Sequence, residues 1–208
     1  MNVEDYILMH GDAEPDYLSA INRKTYQKIL NPRMLSGHLQ GRVLAMFSKM
    51  IQPDVILEIG TFTGYSALCL AEGLSEKGKL HTIECDDELE DFIRKNFKES
   101  PYNEQIELHI GDAKNIIYDL HDTFDLIFID ADKREYQTYY DAVFPKLRPG
   151  GFMLIDNTLW NDKVLDEDGR RDKQTAAILA FNENIARDTR IEKLILPLRD
   201  GLTLIRKK

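Results

Sequence analysis

The chain has 208 residues, of which 43% are hydrophobic and 30% charged, and its formal net charge is −9. This composition is typical of a globular domain, and no apolar run reaches the roughly 20 residues that a membrane-spanning helix needs. The negative charge argues against non-specific nucleic-acid binding, which depends on phosphate contacts from Lys and Arg. Two cysteines and an acidic start without a basic n-region predict a cytoplasmic location.

Helical and strand patterns alternate along most of the chain. Amphipathic periodicity predicts helices over 15–30 and 37–50, and the N-terminal helices (about 1–50) are expected to cover the site of a single domain spanning 1–208. The following elements are predicted in chain order: strand 54–60, helix 64–76, strand 79–85, helix 86–100, strand 105–111, helix 113–121, strand 126–129, helix 133–147 and strand 150–157. Such alternation predicts a parallel sheet with right-handed crossovers.

The C-terminal part departs from this alternation. A helix is predicted near 173–188, and "IEKLILPLRDGLTLIRKK" then gives two strand-like runs separated by "LRDG", which is a hairpin signal. The predicted fold is therefore α/β and Rossmann-like. It has a mostly parallel seven-stranded sheet with one antiparallel C-terminal strand and helices on both faces.

A glycine turn, "EIGTFTGYS" (58–66), follows the first strand. Gly60 and Gly64 are spaced G-x-x-x-G, and bulky Phe62 replaces the second glycine of the dinucleotide motif G-x-G-x-x-G. The turn therefore fits a ligand without a diphosphate, which argues against an NAD-dependent oxidoreductase. A plain strand-turn-helix would explain this turn if it stood alone.

Polar residues also close the second, third and fourth strands. Glu84 is placed to accept hydrogen bonds from ribose hydroxyls, and Asp112 lies where an adenine edge would bind. In "FDLIFIDADK" (124–133), Asp130 and Asp132 follow a buried strand and Lys133 follows them. Charges are rarely buried without a partner, so the end of this strand is a candidate site.

These motifs resemble those of class I S-adenosylmethionine-dependent methyltransferases. The motifs "VILEIGTFTGYSAL", "HTIE", "IGDAKNII", "FDLIFIDADK" and "FMLIDNTLW" look most like the cation-dependent O-methyltransferases, which include the catechol and caffeoyl-coenzyme A enzymes and their bacterial relatives. The resemblance covers residues 34–164 clearly. It implies S-adenosyl-L-methionine as methyl donor, a small phenolic acceptor with vicinal hydroxyls, and a homodimer.

The resemblance also assigns a metal site and a base. Asp130, Asp156 and Asn157 match the ligands of a divalent cation, and their hard oxygens suit Mg²⁺, with Ca²⁺ or Mn²⁺ as alternatives. Zinc is disfavoured because no histidine lies near these acids in the sequence. Lys133 matches the general base of the catechol enzymes. Alternatively, Asp156 and Asn157 cap a turn, and Lys133 is a surface lysine paired with a neighbouring acid.

The remaining site residues are assigned by the same resemblance. The donor is expected to contact Met34, Glu58, Gly60, Phe62, Ser66, Glu84, Asp112, Ala113 and Asp130. The acceptor is expected to contact Lys133, Trp160 and Asn161, although core packing would equally explain the single tryptophan. The charged loop 161–174 is either a lid over the acceptor or a passive linker.

Two other functions compete with this assignment. Some bacterial relatives methylate a hydroxylated tRNA uridine, and the net charge of −9 argues only mildly against such an acceptor. A non-catalytic nucleotide-binding module would have no need of Asp130, Asp156, Asn157 and Lys133 together. Nucleic acid is therefore an unexpected partner, but tRNA stays open.

Overall fold

A computed structural model describes residues 3–166 and 172–208, with seven strands at its centre. The strands are β1 Val55–Ile59, β2 Lys79–Glu84, β3 Ile106–Ile110, β4 Phe124–Ile129, β5 Leu147–Ile155, β6 Ile191–Leu196 and β7 Leu202–Lys207. The described α-helices are α1 Val3–His10, α2 Asp16–Lys28, α3 Gly37–Ile51, α4 Tyr65–Ala71, α5 Glu90–Lys98, α6 Ala113–Asp119, α7 Tyr136–Val143 and α8 Lys173–Arg187.

The seven strands form one sheet in the order β3-β2-β1-β4-β5-β7-β6. The pairs among β1 to β5 are parallel, and β7 runs antiparallel to both β5 and β6. The predicted α/β fold with one antiparallel C-terminal strand is confirmed. None of the described helices is both long and apolar enough to cross a membrane.

Two apolar layers cover the sheet, one on each face. Helices α2 to α5 pack on one face through Leu18, Leu44, Leu68 and Phe97, and α6 to α8 pack on the other through Ile117, Tyr140 and Phe181. Burying one such side chain stabilises the fold by about 1.5–3 kcal/mol relative to exposure. The predicted helices on both faces are therefore confirmed.

Some predicted boundaries were wrong. The helix predicted over 64–76 ends at Ala71, because Gly73 lies against α3 so closely that a Cβ there would sit 2.1 Å from the Ser48 carbonyl carbon. The helix predicted over 133–147 is divided into a 3-10 turn (Lys133–Glu135), α7 and a second 3-10 turn (Phe144–Lys146) containing Pro145, which lacks the N–H that would continue α7. Helix α1 was not predicted at all.

The strand order reverses between β1 and β4, which places their carboxyl ends at the switch point where ligands bind in open α/β sheets. Gly60 leaves β1 with φ +99°, and a Cβ there would meet the Asp130 carbonyl oxygen at 2.1 Å. Glycine is required because the ends of β1 and β4 are in contact. The predicted loop over 161–174 lies partly outside the described residues, since 167–171 are not described.

Candidate active site

A cavity of about 1130 Å³ opens at the switch point. Its walls come from the segment before α3, the glycine turn, the ends of β4 and β5, and the turn between β6 and β7. The residues that line it include Met34, Ser36, Gly60, Phe62, Ser66, Asp130, Asp132, Lys133, Asp156, Asn157, Trp160, Asn161, Arg199 and Asp200. Most of the residues predicted for donor, cation and acceptor therefore share one space. Residues of the N-terminal segment, among them Met34 and Ser36, line one side of it.

The register of the sheet brings the proposed cation ligands together. The Asp130 N–H donates to Ile59 O at 2.9 Å, and the Asp156 N–H donates to Ile129 O at 3.0 Å, so the two acids leave adjacent strands at the same edge. Asn157 follows with φ +57°, a left-handed conformation that asparagine tolerates. Two carboxylates and an amide oxygen at this edge form a hard donor set that fits Mg²⁺ or a similar cation.

Asp156 is buried next to a second carboxylate, that of Asp130. Burial and the negative charge of Asp130 raise the pKa of Asp156 to about 6, although Gln40 and the Asn157 N–H donate hydrogen bonds to its oxygens at 2.6 and 2.8 Å. Both of these donors are neutral. A cation held between the two acids would remove the repulsion that raises this pKa, which supports the fit of the donor set.

Lys133 forms an ion pair with one of these acids, Asp130. Its Nζ is 2.7 Å from Asp130 Oδ1, its side chain is only 12% exposed, and it lies 5.4 Å from the centre of the Tyr136 ring. Asp132, which the sequence allowed as its partner, instead pairs with Arg134. The lysine is therefore a largely buried ammonium inside the cavity and not a surface residue.

The glycine-turn end of the cavity contains a buried acid, Glu58. Its Oε2 accepts a hydrogen bond from the Thr82 hydroxyl at 2.5 Å, and its Oε1 has no hydrogen-bond partner among the described residues. Burial raises the pKa of Glu58 to about 8, against the opposing effect of the Ser66 and Thr82 hydroxyls. Glu58 does not itself line the cavity, but Ser66 beside it does. Ser66 therefore lies between this buried acid and the cavity.

Glu84 holds the glycine turn in place. Its Oε2 accepts from the Phe62 N–H at 2.6 Å, while Oε1 accepts from the Asp86 N–H at 3.0 Å. Phe62 has φ +51°, so this bond fixes a bulky residue in a conformation that usually favours glycine. Each carboxylate oxygen keeps a second lone pair, which leaves Glu84 able to accept from a ligand hydroxyl.

Four of the predicted donor residues do not line the cavity: Glu58, Glu84, Asp112 and Ala113. Asp112 is exposed and its side chain accepts from the Lys114 N–H at 2.9 Å, which caps α6. Ala113 is buried as the first residue of α6. Both still lie at the carboxyl edge of the sheet, since the Gly111 N–H donates to Glu84 O at 2.8 Å.

The segment after β5 is held against the turn between β6 and β7. Trp160 and Asn161 have φ values of +51° and +50°, and the Asn161 N–H donates to Asp200 Oδ1 at 2.7 Å. The Trp160 indole N–H is buried without an acceptor among the described residues. Left-handed non-glycine residues are costly, and such strain clusters at functional sites.

Gln40 and Arg199 are site residues that the sequence reasoning missed. Arg199 donates to Gln40 Oε1 at 3.1 Å and to the Leu35 and Ser36 carbonyls, and Gln40 in turn donates to Asp156 Oδ2. A buried polar side chain in α3 must find partners, but the sequence does not reveal which ones. The pair ties the N-terminal segment and the β6–β7 turn to Asp156.

Comparisons with known proteins agree with this geometry. The sequence model of a family described as O-methyltransferase matches residues 9–208. The mouse catechol O-methyltransferase domain-containing protein 1 is 33% identical over 96% of this chain and 77% of its own length. A caffeoyl-CoA O-methyltransferase 2 from Populus trichocarpa is 33% identical over 93% of this chain and 83% of its own.

A solved structure resembles the whole chain as well. The SAH-bound methyltransferase PaMTH1 of Podospora anserina superposes with a TM-score of 0.91 at 29% identity, covering 99% of this chain and 94% of that one. SAH is what S-adenosylmethionine becomes when it gives up its methyl group. With the family model spanning nearly the full sequence, the chain belongs to the O-methyltransferase family and is an S-adenosylmethionine-dependent O-methyltransferase.

Proposed function

We propose that the enzyme depends on a divalent cation and methylates a catechol-like small molecule with two vicinal hydroxyls. The observation that carries this proposal is that Asp130, Asp156, Asn157 and Lys133 line one cavity beside the glycine turn. The names of the mouse and Populus relatives, which refer to catechol and caffeoyl-CoA O-methyltransferases, support the same acceptor class.

The donor binds at the glycine-turn end of the cavity. S-adenosylmethionine brings a methyl group already activated on a sulfonium, so the protein's task is alignment and exclusion of water. The Ser66 hydroxyl, with Glu58 buried behind it, suits the amino acid end of the donor, and Glu84 accepts from its ribose hydroxyls. Met34 covers the cavity from the N-terminal segment.

Asp130, Asp156 and Asn157 hold the cation. A hard cation held by these residues would stabilise the phenolate form of an acceptor with vicinal hydroxyls. Asp156 has no direct cationic partner among the described residues, because Gln40 and the Asn157 N–H are both neutral donors. The positive charge of Lys133 offsets only part of this negative charge, and a divalent ion would neutralise the rest.

Lys133 is the general base. In the structure its Nζ is paired with Asp130 at 2.7 Å. As an ammonium paired with Asp130, Lys133 cannot act as a base, so Nζ would first have to release a proton to solvent. As the neutral amine, Nζ would then accept the phenolic proton within the same cavity. The phenolate oxygen takes the methyl group, the sulfonium sulfur keeps the electron pair of the broken S–C bond, and the proton leaves on Lys133.

The acceptor lies between Lys133 and the segment after β5. Trp160 and Asn161 line this end of the cavity, and the Trp160 indole N–H has no acceptor among the described residues. A buried donor without a partner is costly and favours a ligand that brings an oxygen. Trp160 therefore forms a wall of the acceptor site and offers it a hydrogen bond.

Radiolabelled methyl transfer from S-adenosylmethionine tests the proposal. A panel of catechols, a catechol-bearing coenzyme A ester and bulk tRNA should be assayed with Mg²⁺ and with excess chelator. We expect labelled catechols in Mg²⁺ only, and no label with Asp130→Asn. Asp132→Asn is the matched control, since Asp132 lines the same cavity but pairs with Arg134. Undiminished methyl transfer in excess chelator would contradict the cation dependence. Label found only in tRNA would show that the acceptor is a nucleic acid and not a catechol.

A further inference from the structure

A second cluster of potential metal ligands lies on β2 and β3, away from the cavity. His81 pairs in register with Glu107, and His109 follows Glu107 by two residues, so the three side chains emerge on one face of the sheet. His81 is 3% exposed, whereas Glu107 reaches solvent. None of the three lines the methyl-transfer cavity, and His81 lies three positions before the carboxyl end of β2.

The ligand atoms are spaced as a small metal requires. His81 Nδ1 is 3.0 Å from His109 Nε2 and 3.4 Å from Glu107 Oε2, and His109 Nε2 is 3.8 Å from Glu107 Oε1. Ligands at about 2.0–2.2 Å from a tetrahedral Zn²⁺ are separated by about 3.3–3.6 Å. The two distances to Glu107 end on different carboxylate oxygens, and one ligand atom from each residue lies within 4.8 Å of the others. Side-chain rotations without a change in the strands would bring all three to one ion.

An acid behind His81 supports the same assignment. The other ring nitrogen, Nε2, lies 3.3 Å from Asp122 Oδ2, is buried, and makes no aligned hydrogen bond among the described residues. Metal-binding histidines commonly direct their second N–H to a carboxylate, which fixes the tautomer. Asp122 is itself held by Lys79 at 2.8 Å.

We propose that His81, Glu107 and His109 bind a nitrogen-preferring divalent metal of the Zn²⁺ class, with solvent completing the coordination. Two imidazoles and one carboxylate select such a metal over Mg²⁺, whereas the acids of the cavity are all oxygen donors. The site joins β3, which is the edge strand of the sheet, to β2. Its role is to stabilise the pairing of β3 with β2, not to take part in methyl transfer.

Co²⁺ provides the probe, because nitrogen-ligated four-coordinate Co²⁺ has a visible absorption band that a hexaaquo ion lacks. The full chain is titrated with Co²⁺ in excess Mg²⁺, and Zn²⁺ is then added to displace it. We expect one Co²⁺ ion per chain to give this band. Asp156→Asn should leave the band unchanged, and His109→Ala should lower the affinity for Co²⁺ at least about tenfold. His121→Ala is the control, since His121 is exposed outside the cluster.

Thermal unfolding gives a second readout that does not depend on the spectrum. Zn²⁺ should raise the melting temperature of the wild type and of His121→Ala, and it should leave His109→Ala unchanged. The proposal is overturned if the wild type shows no band, if His109→Ala keeps wild-type affinity, or if Asp156→Asn removes the band.

Discussion

Replacing Asp156 by Asn should stabilise the metal-free enzyme. The pKa of this carboxyl is raised from 3.8 to about 6 by burial and by Asp130. A rise of about two units means that the ionised form costs the folded state about 3 kcal/mol relative to the protonated form. Asn is neutral like the protonated form, but its single amide oxygen can accept only one of the hydrogen bonds from Gln40 and the Asn157 N–H. The loss of the other bond offsets part of the gain, so the variant should gain less than about 3 kcal/mol at pH 8.

The gain should depend on pH in a defined direction. Well below pH 4 the carboxyl is protonated in both the folded and the unfolded chain, so the variant has no electrostatic advantage there. Between about pH 4 and pH 6 the unfolded chain loses its proton first, and the wild type becomes less stable as the pH rises. Above about pH 6 the difference stays at its full size.

Urea and thermal unfolding in chelator, measured from pH 4 to pH 8, test this reasoning. For a chain of this length, about 3 kcal/mol corresponds to a melting-temperature rise of about 6–12 °C. Asp132→Asn is a control of opposite sign, because the Arg134 side chain lowers the pKa of Asp132 and the variant loses that interaction. A variant at Asp156 that is less stable than wild type at pH 8, or equally shifted at every pH, would refute the argument.

Four further outcomes are expected. Mg²⁺ should raise the melting temperature of the wild type in a titration after chelation, and a matching rise in Asp156→Asn would contradict the ligand assignment. Lys133→Met should lower kcat far more than it raises the acceptor KM, and kcat should partly recover at high pH because the phenol then ionises unaided. Lys163→Met should change neither kcat nor KM. A flat pH profile for Lys133→Met would assign Lys133 a structural role. Glu84→Ala should weaken S-adenosylmethionine binding in calorimetry by about 1–3 kcal/mol, and unchanged affinity would exclude Glu84 from the donor site. Gln40→Leu should raise the Mg²⁺ concentration for half-maximal turnover by about tenfold or more, because Asp156 Oδ2 loses its donor; an unchanged Mg²⁺ requirement would separate Gln40 from the cation site.

The sequence predicted those parts of the site that depend on strand ends. Asp130 and Asp156 each follow an apolar run, and parallel strands bring their carboxyl ends to one edge, so the convergence of the two acids follows from the pattern alone. The hairpin of β6 and β7 was equally predictable from its turn residues.

The contacts between distant segments could not be predicted in this way. Gln40 and Asp156 are separated by 116 positions, and Gln40 and Arg199 by 159, and no local periodicity encodes such pairs. Helix ends were also missed where tertiary packing decides them, as at Gly73. Asp112 was assigned to the adenine, although its described hydrogen bond caps α6, a role that an Asp before a helix performs as readily.

The position of β7 between β5 and β6 has a consequence for synthesis of the protein. The ribosome makes β5 and β6 first, and β5 can pair with β4, but β6 cannot join the sheet until β7 has been made and inserted between them. During translation the open edge of β5 is therefore a template for wrong pairing, which makes the nascent chain a candidate for chaperone binding. Arg199 also precedes β7, so a product interrupted before that residue lacks the link to Gln40 as well as the strand. Premature termination in this region should give an aggregating, inactive fragment and not a weakened enzyme.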